Sequence, residues 1–173
     1  MSEIADVRRY FRDQASQFDS IYEGKGVLVN YYTSICTMCD ALGICKFTSA
    51  WFSTPIGLKE MGELATAATG VDFDEKRMGE TAARINNVER AYLVREGITR
   101  KDDTIHGRAM EEPVPSGPYK GERLEREGMD RMLDDYYRVV GWDKVTGAPT
   151  RKTLEDLGLR DVADELAGMG KIP

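Results

Sequence analysis

The run Asp74-Glu75-Lys76-Arg77-Met78-Gly79-Glu80-Thr81-Ala82-Ala83-Arg84-Ile85-Asn86-Asn87-Val88-Glu89-Arg90-Ala91-Tyr92-Leu93-Val94-Arg95-Glu96-Gly97 decides the fold class. Its apolar residues Met78, Ala82, Ile85, Val88, Tyr92 and Leu93 return mainly every three or four positions, the period of one helix face, and do not alternate as a half-buried strand would. Asp72 or Asp74 can cap its start and Gly97 can close it. It is the longest element the sequence offers.

The same period extends to both sides. Upstream, Ser2 can cap a helix over residues 3–18 whose stripe is Ile4, Val7, Tyr10, Phe11, Ala15 and Phe18, ending before Gly24 and Gly26. Val27 to about Asp40 is rich in β-branched and aromatic residues, which favour strands, but its length favours a buried helix. Gly43 interrupts it, and an apolar stretch follows from Ile44 to Phe52. Pro55 suits a first helical turn, and the run from Ile56 to Thr69 stops at Gly70.

Downstream, Ile98 to Lys120 holds Gly107, Pro113, Pro115, Gly117 and Pro118, a density of breakers that predicts a long irregular connection. Helical patterning returns from Leu124 to Val140 with Met129, Leu133, Tyr136 and Tyr137 on one side, and Gly141 ends it. Thr150 caps a short helix closed by Gly158, and Asp161 to Leu166 forms another. No segment reads convincingly as a strand. The expected fold is all-α: one compact multi-helix domain over residues 1–173, with an irregular connection around 98–120.

Of the 173 residues, 41% are hydrophobic, enough to build a core. Lys and Arg number 24 against 30 Asp and Glu, and the net charge of −6 argues against nucleic acid as a partner. No window nears the roughly 18 to 20 consecutive apolar residues of a membrane span. The charged N-terminus is unlike a signal peptide, so a cytoplasmic protein with no membrane partner is expected.

Chemistry is concentrated in Cys36-Thr37-Met38-Cys39-Asp40-Ala41-Leu42-Gly43-Ile44-Cys45-Lys46-Phe47, which holds all three cysteines. An odd number so close together is a poor disulfide framework, and thiolates are common ligands of zinc and iron–sulfur clusters. A full site needs four ligands, and the sole histidine, His106, lies more than 60 positions beyond Cys45. Three readings stay open on the residues alone: thiols packed as small hydrophobes, a metal site made of Cys36, Cys39 and Cys45, or Cys45 joining ligands from elsewhere.

The run Asp40-Ala41-Leu42-Gly43-Ile44-Cys45 resembles the D-x-x-G-L-C motif of the tungsten-containing aldehyde ferredoxin oxidoreductase family, with Ile44 where Leu is commoner. The resemblance continues in Asn87 to Gly97 with Thr99-Arg100-Lys101-Asp102-Asp103, in Glu111-Glu112-Pro113, in Tyr136-Tyr137 with Gly141-Trp142-Asp143, and in Pro149-Thr150-Arg151 with Leu154 to Leu166. It covers roughly residues 22–167. It implies an enzyme that oxidises aldehydes to carboxylic acids with a bis-pterin tungsten, or molybdenum, cofactor and one 4Fe-4S cluster, passing electrons to ferredoxin. By that resemblance Cys45 is a cluster ligand, Asp40 bonds a pterin through its carboxylate, and Leu42, Gly43 and Ile44 shape the backbone around it. The residue types suit these roles, since a thiolate holds iron, a carboxylate accepts two N–H bonds, and glycine lets main chain approach a flat ligand.

The family's other three cluster cysteines, its second D-x-x-G-L motif, its active-site acids and bases and its N-terminal sheet domain are all expected upstream of the matching region. The chain therefore corresponds to the C-terminal helical domain, which on its own should not turn over aldehydes. Its expected partners are the remaining domains, the aldehyde and ferredoxin, with self-association left open. Two rival readings are a cofactor-free helical interaction protein and a small metal protein built on the three cysteines.

Other candidates read more simply as structure. His106 fits a loop position, and Met61, Met78, Met110, Met129 and Met132 fit core stripes. Asn86, Glu89, Arg90, Arg95 and Glu96 could bond one another along a helix, with Arg95 or Arg100 reaching a cofactor phosphate as the functional alternative. The acidic runs 122–127 and 130–135 read as solvated faces.

Overall fold

The structure, a computed structural model, describes residues 22, 24–49 and 56–172. The helix expected over residues 3–18, Pro55 and the end of the apolar stretch to Phe52 lie outside the described residues. Seven α-helices are described: α1 Lys25–Leu42, α2 Leu58–Thr69, α3 Glu75–Arg95, α4 Gly107–Glu111, α5 Arg126–Val140, α6 Arg151–Asp156 and α7 Arg160–Gly168. Among the described residues there is no strand, only an isolated antiparallel bridge between Trp142 and Pro149. The all-α expectation holds.

Local chemistry explains most boundaries. The Asp74 carboxylate accepts from Arg77 N at 2.7 Å and starts α3. Thr150 Oγ1 accepts from Thr153 N at 3.1 Å and starts α6. Ahead of α2 the N–H of Gly57 donates to Glu60 Oε2 at 2.8 Å, so this helix begins at Leu58 on a residue reaching back from its own first turn. Left-handed glycines at 43, 70 and 141 end α1, α2 and α5. The connection expected to be irregular over 98–120 is so for most of its length. It nevertheless contains a 3-10 turn at Arg100–Asp102, capped by Thr99, and the short α4.

Burial organises the rest. Helix α1 overrides its strand-like composition because Ile35, Met38 and Cys39 fall on one helical face and enter a core with Leu58, Met61 and Ala65 of α2 and Met78 and Ala82 of α3. A second core joins the end of α3, through Ala91 and Val94, to Ala148, Leu154, Leu159, Ala163, Leu166 and Ile172. Helix α3 thus belongs to both, with its first half in one core and its last turns in the other. Helix α5 lies against α1. There Gly26 is required, since a Cβ on it would sit 2.5 Å from the main-chain nitrogen of Tyr136.

Two expectations need correction. Asp135 is not merely part of a solvated face: its Oδ2 accepts from Gly26 N at 3.1 Å, so α5 supplies the cap that α1's own Gly24 lacks. Asn86 and Arg90 of α3 find their partners on other elements, not along their own helix. Thr37 donates to Asn86, and Arg90 turns inward, 5% exposed, to form a two-pronged pair with Asp103 from the loop after α3. Only Arg95 and Glu96 pair within that set, at the surface.

Candidate functional site

The turn that ends α1 carries all five residues singled out from the sequence. Gly43 has φ +70°, in the left-handed region that a β-carbon disfavours, and nothing lies within 4 Å of where such a carbon would stand. Ile44 N donates to Cys39 O at 2.8 Å, which reverses the chain, and the Ile44 side chain packs against the first core. The main-chain carbonyl of Cys45 then accepts from Thr48 N at 3.0 Å and from Thr48 Oγ1 at 2.7 Å, starting a 3-10 turn over Lys46–Thr48. The result is a hinge anchored on its inner side by Ile44, with Asp40, Leu42 and Cys45 exposed on its outer side.

Its electrostatics depend on Lys46. The Lys46 ammonium reaches back to Asp40 Oδ2 at 2.7 Å, and this bond raises the lysine above its ordinary value. Burial pushes the Cys36 thiol up, with the nearby Lys46 charge pulling the other way, so Cys36 favours the thiol form. Cys39 is fully buried and its sulfur lies 2.8 Å from Ser49 Oγ. The three thiols are free, and among the described residues no three His, Cys, Asp or Glu side chains gather as a metal site. A small metal centre built from Cys36, Cys39 and Cys45 is therefore not supported. Cys45, the exposed thiol, is the one open to a ligand set completed from elsewhere.

A groove of about 700 Å³ runs along α1 and α3 to this hinge, floored by Leu28, Val29 and Ile85 and reaching Cys36 and Asp40. On the other side of α3 lies a polar layer that sequence reasoning missed. Arg90 Nε donates to Gly147 O at 2.8 Å and its guanidinium lies 4.7 Å from the centre of the Trp142 ring. Asp103 receives both the Arg90 fork and the Tyr137 hydroxyl. Burial, and then this bond, drive the Tyr137 hydroxyl well above its ordinary value. Trp142 Nε1 donates to Asn87 Oδ1 at 3.0 Å, completing the layer. Asn87, Arg90, Asp103, Tyr137 and Trp142 all fall in the segments quoted for the family resemblance, but no sequence spacing joins them into one layer.

Other candidates are accounted for structurally. His106 Nδ1 accepts from Arg108 N at 3.2 Å and caps α4. Arg95 pairs with Glu96 and Glu165, and Arg100 with Asp134 at 2.8 Å, so both guanidinium groups meet carboxylates in this chain. Met61 and Met78 are core residues as expected. No described helix is long and apolar enough to cross a membrane.

Comparison with known proteins identifies the family. The family model described as aldehyde ferredoxin oxidoreductase, domains 2 and 3, matches residues 4–159, starting earlier and ending sooner than the motifs had suggested. The chain is 32% identical over 142 residues to a tungsten-containing aldehyde ferredoxin oxidoreductase of Pyrococcus abyssi, covering 82% of this chain and 22% of that protein. It is 31% identical over 138 residues to the WOR-like subunit of an aliphatic sulfonate oxidoreductase of Pyrococcus furiosus, covering 76% and 21%. Among solved structures, a chain of the active-site complex BamBC of benzoyl-coenzyme A reductase, bound to 1,5-dienoyl-CoA, superposes with a TM-score of 0.73 at 27% identity, covering 89% of this chain and 22% of that one. The chain thus spans about a fifth of the length of the relatives it matches. With most of its length matched by the family model, the chain belongs to the aldehyde ferredoxin oxidoreductase family.

Proposed function

We propose that the chain is the C-terminal helical part of a tungsten or molybdenum bis-pterin oxidoreductase that converts aldehydes to carboxylic acids and sends the electrons through a 4Fe-4S cluster to ferredoxin. The carrying observation is the hinge: Asp40, Gly43 and Cys45 stand together on one exposed turn, in a chain that lacks a complete ligand set among its described residues. The donor chemistry fits. Cys45 offers an accessible thiol to iron, and Asp40 an accessible carboxylate to the N–H edge of a pterin. When bound, the pterin metal supplies two-electron oxidation and the cluster one-electron transfer.

The chain's own residues bind and orient. Cys45 supplies one thiolate while the other cluster cysteines come from upstream domains. Leu42, Gly43 and Ile44 bring main chain close to the ligand, with Ile44 fixing the turn against the core. Three free thiols suit a reducing, cytoplasmic setting.

Anaerobic purification from the native source, with masses of the co-purifying polypeptide and metal analysis, tests the reading. The expected preparation contains the missing four-fifths of the enzyme, covalently or as a subunit, with tungsten or molybdenum and about four irons per enzyme. Recovery of the chain alone, colourless and metal-free, contradicts it and favours the cofactor-free interaction protein.

A further inference from the structure

Asp40 sits in the last turn of α1, where the exposed carbonyls make the helix end negative and a carboxylate is unfavourable. That last turn contains no basic residue to offset it. The countercharge comes from beyond the helix, where Lys46, six positions on and across the left-handed Gly43, donates to Asp40 Oδ2 at 2.7 Å. The surface pairs Lys59–Glu63, Lys76–Glu80 and Lys152–Asp156 differ from it in being i,i+4 pairs within one helix. The Asp40–Lys46 pair closes a loop whose chain passes through Gly43, Ile44 and Cys45. It also engages one carboxylate oxygen only, and a carboxylate accepts on two.

We propose that Lys46 is a positioning residue for the redox site: its ion pair ties the Asp40 carboxylate to the turn that presents the Cys45 thiol, so the pterin-facing and cluster-facing groups are held in one register. This rests on the reading of Asp40 and Cys45 given above. Lys46 Nζ holds Oδ2, and Oδ1 is the oxygen left to accept from a ligand N–H. The same cation offsets negative charge beside Cys45 when the cluster is reduced.

The test uses the assembled, cofactor-loaded enzyme. Lys46→Met leaves Asp40 without its cation, so an EPR-monitored redox titration gives a lower cluster midpoint potential, and Lys46→Arg restores it. Retention of the pterin metal under mild urea weakens roughly two- to fivefold in Lys46→Met, the range expected for one exposed ion pair. Because the lysine acts through Asp40, adding Lys46→Met to Asp40→Asn lowers retention little beyond Asp40→Asn alone. An unchanged midpoint potential in Lys46→Met, or full additivity with Asp40→Asn, overturns the proposal. Full iron content in a Cys45→Ser enzyme instead overturns the underlying reading, which separates the two failures.

Discussion

Asp103 is the residue on which the polar layer converges, and its removal leaves the buried Arg90 charge without its carboxylate. Arg90 is 5% exposed and has its fork on that carboxylate. Breaking a buried pair from one side costs about 3–5 kcal/mol, and because Asp103 keeps some contact with water, Asp103→Ala should cost roughly 2–4 kcal/mol in urea unfolding. A cost below about 1 kcal/mol would mean that the pair is not desolvated as described. Acid sensitivity belongs to the same scale. Amide N–H groups of Thr146 and Val145 and the Thr146 hydroxyl hold the Asp143 carboxyl below its ordinary value of 3.8. The folded chain therefore binds this proton less readily than the unfolded one, so the stabilisation is present above that ordinary value and is lost as pH falls through the lower, folded value. Thr146→Val should flatten stability against pH in that acidic window while leaving the neutral-pH slope unchanged, as read by unfolding at a series of pH values. At this scale the sequence discloses what is local. Asp40, Gly43 and Cys45 are legible within six consecutive positions, whereas the Arg90–Asp103 pair lies 13 positions apart across a turn and has no helical spacing to announce it. Lys46 was visible as a neighbour of Cys45, but its reach back to Asp40 depends on a chain reversal that only the fold provides.

Helices were legible where one face is apolar and chemical stops flank it, which is why α3, α5 and the two short C-terminal helices lie close to their expected bounds. Helix α1 shows the limit of propensity. Its Val, Ile, Thr and Tyr content suits a strand, and burial of Ile35, Met38 and Cys39 on one helical face decides otherwise. The crossing of α1 with α5 was not legible, because it depends on an absent side chain and on a cap lent by another helix. Gly26→Ala places a β-carbon against the Tyr136 backbone and should cost about 1–3 kcal/mol through overpacking. Gly43→Ala meets no neighbour and should cost only the left-handed backbone penalty, about 1 kcal/mol. Urea midpoints compare them directly, and a smaller loss for Gly26→Ala than for Gly43→Ala would contradict the close helix crossing.

Across the whole molecule, α3 couples two apolar cores through a polar layer, and the hinge stands at the outer end of the first core. Stability and proposed chemistry are therefore separable: substitutions in the layer destabilise the chain, while substitutions at Asp40 and Cys45 remove exposed side chains. Cys45→Ser should shift the urea midpoint by no more than about 0.5 kcal/mol in equivalent stability. The fold class and the family were both legible because they depend on patterns spread along the chain. The chain spans about a fifth of the length of its relatives, so the ligands proposed to complete the site are sought outside it. The most direct measurement is the iron content and reduced-state EPR signal of the assembled enzyme carrying Cys45→Ser, beside Cys36→Ala. The account predicts that Cys45→Ser loses the wild-type 4Fe-4S signal and part of its iron while Cys36→Ala keeps both; a wild-type signal with full iron in Cys45→Ser would contradict it.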